Sequence, residues 1–455
     1  MFLRLIIFQV FATFGLGSPS FYTQKLNNNS VIEPSLFELM IGIRVEFQEE
    51  DPDYAGTSGI GQFLNEIPQK VYERCDGFLL EKPNHDAGYF LAQMEAVKNY
   101  YIHVSNHEFT FDYVLLDSVY NVSNSMINYS QSDSTLGDFF NESITLAEHN
   151  IIEAIQTHFP NGFTEENLNN TLITIFHAGI GQDFAVPFLD PTPNDLPSAY
   201  IEQTMLSEIV SVNGFPVDHG LLLPETENHI YYDGIEDMFW GETEFCDYQV
   251  GMTGIFSFLV GYAIGLPPLF NTDTGETGIG VFGLMDHGSN NGRGVIPAPP
   301  DAWSRIYMGW TEPTMIMNAS DYEISARHVE DVVFKIPITE EEYFLIENRK
   351  NDIFGNTDLI DLIWEDPYNP KKWFNVIQEI IDTSGNDHFR LNETYNIIES
   401  VNNYDFGIPG TGLLIWHISE PNDYSIGINN NPEHRAIHLE EADGAVDLGF
   451  ENIWN

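Results

Sequence analysis

A chain of 455 residues with 43% hydrophobic and 13% aromatic residues has the apolar mass for a large folded core, which excludes a disordered chain. Its 17 basic against 69 acidic residues give a net charge of −52, which repels nucleic acid and anionic membrane surfaces. That balance predicts a solvated acidic surface, with capture of divalent cations as the sharper alternative.

Residues 1–18 read as a signal peptide. Arg4 supplies the positive start, Leu5 to Leu16 an apolar stretch too short to span a bilayer, and Gly15 and Gly17 small residues for cleavage. The expected location is therefore secreted, extracellular or else periplasmic or at the cell surface. Cys75 and Cys246 are the only cysteines. An oxidising compartment permits them one disulfide, but a single pair is no framework and the sequence leaves the bond open.

Ile41, Ile43, Val45 and Phe47 alternate with Met40, Gly42, Arg44 and Glu46, which predicts a strand over 36–47. Tyr89, Leu91, Met94, Val97 and Tyr100 recur at helical spacing and predict a helix over 87–101. A strand over 109–119, an amphipathic helix over 146–158 and a short buried strand over 172–176 follow. The mixture predicts an α+β domain. From about Tyr322 the texture changes. Short β-type runs, Val332 to Pro337, Tyr343 to Glu347, Gly412 to His417 and Ala436 to Leu439, are separated by Asp, Asn, Gly and Pro turns. The expected division is a domain over 36–320 and a β-rich C-terminal region over 321–455.

Tyr248 to Thr272 holds no charged side chain and has the length of a membrane span. Gly251, Gly254, Gly261 and Gly265, Pro267 and Pro268, and flanking Asp247 and Asp273 argue against a span. A buried helix over 254–264, stopped by Gly265 and Pro267, is predicted instead.

This segment resembles the active-site helix of immune-inhibitor-A-like secreted zinc metallopeptidases, peptidase family M-six. Their pattern is H-E-x-x-H-x-x-G-x-x-D followed by a Leu-Met turn. The likeness lies in Gly265-Leu266-Pro267, Asn271-Thr272-Asp273, Gly278 to Asp286, Pro299 to Trp303 and Gly309-Trp310. Tyr89-Phe90, Tyr100-Tyr101, His177-Ala178-Gly179, Leu345 to Arg349, Gly412 to His417 and Leu439 to Gly444 extend it in the same order. The resemblance implies a zincin/metzincin-like peptidase domain followed by a β-rich region, with Met285 in the Met-turn.

The departure lies at the chemistry. Aligning Gly265 places Phe258 at the first His, Leu259 at the general-base Glu, Tyr262 at the second His and Pro268 at the third ligand. A zinc peptidase needs three N or O ligands and a carboxylate to take a proton from the bound water. These four residues supply no such set, so zinc is expected to be lost and the domain to act by binding an extracellular protein or peptide. The alternative is an active metalloendopeptidase with non-standard ligands.

His103 with His107 and His434 with His438 stand four apart, but the second pair adjoins a strand-like run, where four residues span about 13 Å, too far for one zinc. Glu225, Glu227 and His229 alternate as if on one strand face, and His287 follows Met285, where a bond to backbone is expected. Calcium fits better than zinc. Asn271, Asp273 and Glu276 around Gly275 form one oxygen-rich turn, and Glu440, Glu441 and Asp443 before Gly444 form another.

Overall fold

The computed structural model describes residues 34–50, 56–75, 78–184, 192–232, 246, 249–351, 388–420, 427–442 and 448. The expected signal peptide, residues 1–18, lies outside the described residues.

The chain builds an α+β architecture of separate sheets. Among the described residues seven strands come first: β1 Leu39–Glu46, β2 Asp112–Asn121, β3 Thr171–Ile180, β4 Ala199–Ile201, the hairpin of β5 Val210–Val212 and β6 Phe215–Val217, and β7 Gly220–Thr226. The central sheet has the order β2-β1-β3-β7-β4. Its first four strands are parallel, and β4 runs antiparallel at the edge. Parallel strands need covered faces and helical crossovers. Helix α1, Ala87–Val104, makes the crossover from β1 to β2, and helix α2, Asp133–His158, the one from β2 to β3.

The two faces are distinct. Gly42 of β1 is short of a side chain because Met94 of α1, Leu115 and Phe176 close over it, with a Cβ there falling 3.0 Å from Met94 Sδ. Phe176 also meets Phe256, at 5.7 Å between rings, so helix α3, Thr253–Ala263, shares that face. On the opposite face Phe47 stacks on Phe139 of α2 at 5.2 Å and meets His177 at 6.0 Å. Successive residues Phe176 and His177 thus point to opposite layers, as the two-residue period of a strand requires.

Two elements exceed their predicted lengths. The 146–158 helix begins at Asp133, where Ser132 and Thr135 form a reciprocal cap and Leu136, Phe139 and Phe140 bury its first turns. Polar residues and Gly137 mask this stretch in the sequence, and Gly137 is there because α2 runs against the Met205 carbonyl. Strand β3 is buried at all ten positions, so it lacks the alternation that would mark its ends.

Helix α4, Ala302–Tyr307, follows, capped by Asp301, which accepts from Trp303 N at 2.9 Å and Ser304 N at 3.1 Å. Among the described residues seven more strands follow: β8 Thr314–Met315, β9 Phe334–Pro337, β10 Glu342–Arg349, β11 Phe389–Asn392, β12 Ile397–Val401, β13 Gly412–Ser419 and β14 Ile437–Leu439. Five form a second sheet, β14-β13-β10-β9-β8, and β11 pairs with β12. The C-terminal part is therefore β-rich among the described residues. The β11–β12 hairpin lies against α1, and Tyr100 of α1 meets Tyr404 edge-on at 4.9 Å, so one core runs through both parts.

A fully buried ionic knot ties α4 to β10. Glu347 accepts from Arg305 Nη2 and from Arg349 Nε, each at 2.8 Å, and from Trp416 Nε1 at 2.9 Å. Arg349 reaches Asp405 at 2.7 Å, and Arg305 reaches Asp331 at 3.0 Å. The Pro300 carbonyl accepts from Arg305 at 2.6 Å. Burial raises the Glu347 carboxyl, but Arg349 and Arg305 outweigh it and hold the group down to about 2.

Cys75 and Cys246 are joined in a disulfide across 171 residues of sequence. Among the described residues no helix is long and apolar enough to cross a membrane.

Candidate functional site

Helix α3 is built from uncharged residues that leave almost nothing exposed. Its first turn has no side-chain cap of its own. Glu81 from another segment takes that role, accepting from Met252 N at 2.6 Å and from Thr226 Oγ1 at 2.8 Å. A carboxylate at the positive end of a helix is favourable, although burial raises the Glu81 carboxyl above its ordinary range. The last turn closes through Gly265, whose φ of 94° suits glycine. Gly265 N donates to Tyr262 O and Leu266 N to Gly261 O, both at 2.9 Å, a Schellman ending before Pro267.

The four aligned positions sit on and just after this helix. Phe258 and Leu259 are each 1% exposed, Pro268 is buried and Tyr262 is half-buried. Phe258 and Tyr262, one turn apart, meet at 5.1 Å, Phe258 approaches Phe270 at 6.3 Å, and Tyr262 stacks on Tyr200 of β4 at 6.3 Å. Burial, with Glu202 nearby, pushes the Tyr262 phenol well above its ordinary range.

Met285 lies fully buried beneath the helix. A Cβ on Gly261 would fall 2.6 Å from Met285 Sδ, so glycine there lets the methionine dock against the helix backbone. Leu269 N donates to Met285 O at 2.9 Å, and Tyr101 OH donates to Ser257 O at 2.5 Å. Asp286 organises the adjoining loop, accepting from Ile279 N at 2.7 Å, Gly278 N at 2.8 Å and Thr277 Oγ1 at 2.9 Å. Among the described residues the His287 ring has no backbone hydrogen bond; its Nε2 lies 3.9 Å from Asp286 Oδ1.

The calcium candidates fare differently from one another. Asn271 Oδ1 accepts from Asp273 N at 2.9 Å and Thr274 N at 3.2 Å, an Asx turn. Asp273 accepts from Asn430 at 3.3 Å, and Glu276 from Thr274 Oγ1 at 3.2 Å. Glu441 accepts from Leu448 N at 2.9 Å, whereas Glu440 turns to His417 and His438. Asp443 lies outside the described residues.

Glu225, Glu227 and His229 have different partners. Glu225 lies next to last in β7 and binds His85 Nδ1 at 2.6 Å, Gly179 N at 2.8 Å and the Tyr232 hydroxyl. Glu227 lies beside Asp183, and His229 stands in a short 3-10 turn. Burial first, then the Asp183 carboxylate, push the Glu227 carboxyl well above its ordinary range. This set lies past the carboxyl ends of β3 and β7, where open parallel sheets commonly place functional groups. Its chemistry is structural here: Glu225 and Asp183 satisfy buried backbone N–H groups, including Ser198 N at 3.0 Å. Sequence reading did not find Asp183, Glu81 or His85, because their partners lie on distant segments.

No family model, curated protein or solved structure matches this chain.

Proposed function

We propose that the chain is a secreted protein on a metallopeptidase-like, zincin-type framework whose peptidase centre has become core, and that it acts by binding an extracellular protein or peptide. The observation carrying this reading is the pair Phe258 and Leu259, each 1% exposed, at the positions where the resembling family holds a ligand and its general base. Phe and Leu gain about 1.5–3 kcal/mol each when fully buried. Unpaired polar groups in their place would cost about 1–3 kcal/mol each without a metal. The docking of Met285 against Gly261 supports the same frame.

The test is casein cleavage by purified protein supplied with zinc, with and without chelator. No chelator-sensitive cleavage is expected. Cleavage abolished by chelator would replace this reading with that of an active metalloendopeptidase using other ligands. Restoring the pattern with Phe258→His, Leu259→Glu, Tyr262→His and Pro268→Asp together is expected to create a zinc site at the helix.

A further inference from the structure

We infer that the edge of the second sheet carries a transition-metal site formed by His417, His438 and Glu440, taking zinc or a like borderline cation. Among the described residues these three are the group of His, Cys, Asp or Glu whose ligand atoms lie within 4.8 Å of one another. The sheet itself assembles them. His417 of β13 pairs directly with His438 of β14 in the antiparallel register. Glu440 follows His438 by two residues and so shares its face. Its backbone N donates to Ile415 O at 2.8 Å, which fixes the carboxylate beside the rings.

The distances favour a shared ion over simple hydrogen bonds. Glu440 Oε1 lies 3.2 Å from His417 Nδ1 and 3.3 Å from His438 Nε2. Charge-assisted N–H to carboxylate bonds run shorter, at about 2.7–2.9 Å. Donors on one tetrahedral zinc, each about 2.0–2.1 Å from it, stand about 3.3 Å apart.

The tautomer points the same way. His417 Nε2 lies 3.0 Å from Glu342 Oε1. A carboxylate only accepts, so Nε2 carries a proton, and in the neutral ring the Nδ1 lone pair then faces Glu440. In that state a metal ion between the two lone pairs, 3.2 Å apart, satisfies both. Glu342 then plays the part of the carboxylate that orients a ligating histidine. The Phe344 ring, 4.8 Å from His417, walls one side. The ligand side chains remain 24–40% exposed, which leaves room for water to complete the coordination. Two imidazoles and one carboxylate suit zinc, nickel or copper better than calcium.

The site is separate from α3 and stands whether or not the peptidase centre is dead. Chelator-treated full-length protein titrated calorimetrically with zinc chloride is expected to bind about one zinc per chain, by the three-ligand rule. His417→Ala and His438→Ala should each weaken binding at least about 100-fold, and Glu342→Gln about 10–100-fold. His434→Ala, four residues from His438 and exposed, should leave it unchanged. Cobalt(II) added to the unaltered protein should give the intense visible bands of a tetrahedral site, a readout that does not depend on any variant folding. Zinc binding undiminished in the double variant His417→Ala/His438→Ala, or unaltered protein without zinc heat and without cobalt bands, overturns the inference. Casein cleavage measured on the same samples reports on the α3 reading alone.

Discussion

Helix α3 and the ionic knot around Glu347 are equally closed to solvent and opposite in chemistry. Phe258 and Leu259 are 1% exposed, and Glu347 and Arg349 are 0%. The helix lies in a stretch with no charge from 248 to 272. The knot gathers Arg305, Arg349, Glu347, Asp331 and Asp405 within hydrogen-bonding range. The chain is therefore able to bury charge where it supplies every partner. The apolar character of α3 is then a property of that site, not of the interior at large. Where the second sheet meets solvent, β13 and β14 offer the imidazoles that the helix lacks.

The comparison breaks most sharply at the knot. Arg349→Met leaves Glu347 and Asp405 short of a buried partner, and a loss of about 3–5 kcal/mol in unfolding free energy is expected from urea denaturation. Phe258→His should cost about 2–4 kcal/mol, combining lost burial with an unpaired imidazole, and added zinc should not recover it because one donor makes no site. An equal cost from Tyr262→His would contradict the packing described, since Tyr262 is only half-buried.

Acid sharpens the contrast. The folded Glu347 carboxyl lies at about 2, below its ordinary 4.5. Its contribution is thus present in full above about pH 4.5 and is lost as pH falls toward 2. Glu227, raised by burial and by Asp183, works in the opposite sense, gaining as the solution acidifies. Thermal melts across that window should fall with acid, and Glu347→Gln should flatten the fall. A variant that keeps the full acid dependence would place the titrating group elsewhere. The smallest effect is expected at Gly254, whose Cβ would overlap the Ser289 carbonyl oxygen. Gly254→Ala should cost about 1–3 kcal/mol in the same urea titration.

Much of the fold was legible because its signals are local. The alternation at Ile41, Ile43 and Val45 gave β1, and the spacing of Tyr89, Met94 and Val97 gave α1. The uncharged run with Gly265 and Pro267 at its end gave α3 to within one residue at each end. The candidate site was half legible. Phe258, Leu259 and Tyr262 are near neighbours in sequence, so helix geometry alone places them together. His417 and His438 were read apart, and His438 was weighed only against His434. Their meeting depends on the register of β13 with β14, which no short-range pattern encodes. Glu440 was grouped with Glu441 for the same reason, although neighbouring residues on an extended chain point apart. Glu81 and Asp183 escaped notice because each satisfies backbone from a remote segment.

The inward turn of the arginines has a colloidal consequence. Arg44, Arg305, Arg327, Arg349 and Arg435 are all buried, five of the 17 basic residues in the whole chain. Solvent therefore meets a carboxylate shell with few guanidinium groups to neutralise it. Such a shell draws a dense counter-ion cloud and repels other copies of the chain. In dilute buffer its self-repulsion reaches across the molecule, whereas at physiological ionic strength it is screened within about 8 Å. Ordinary salt is thus part of what lets this acidic chain stay compact while remaining dispersed.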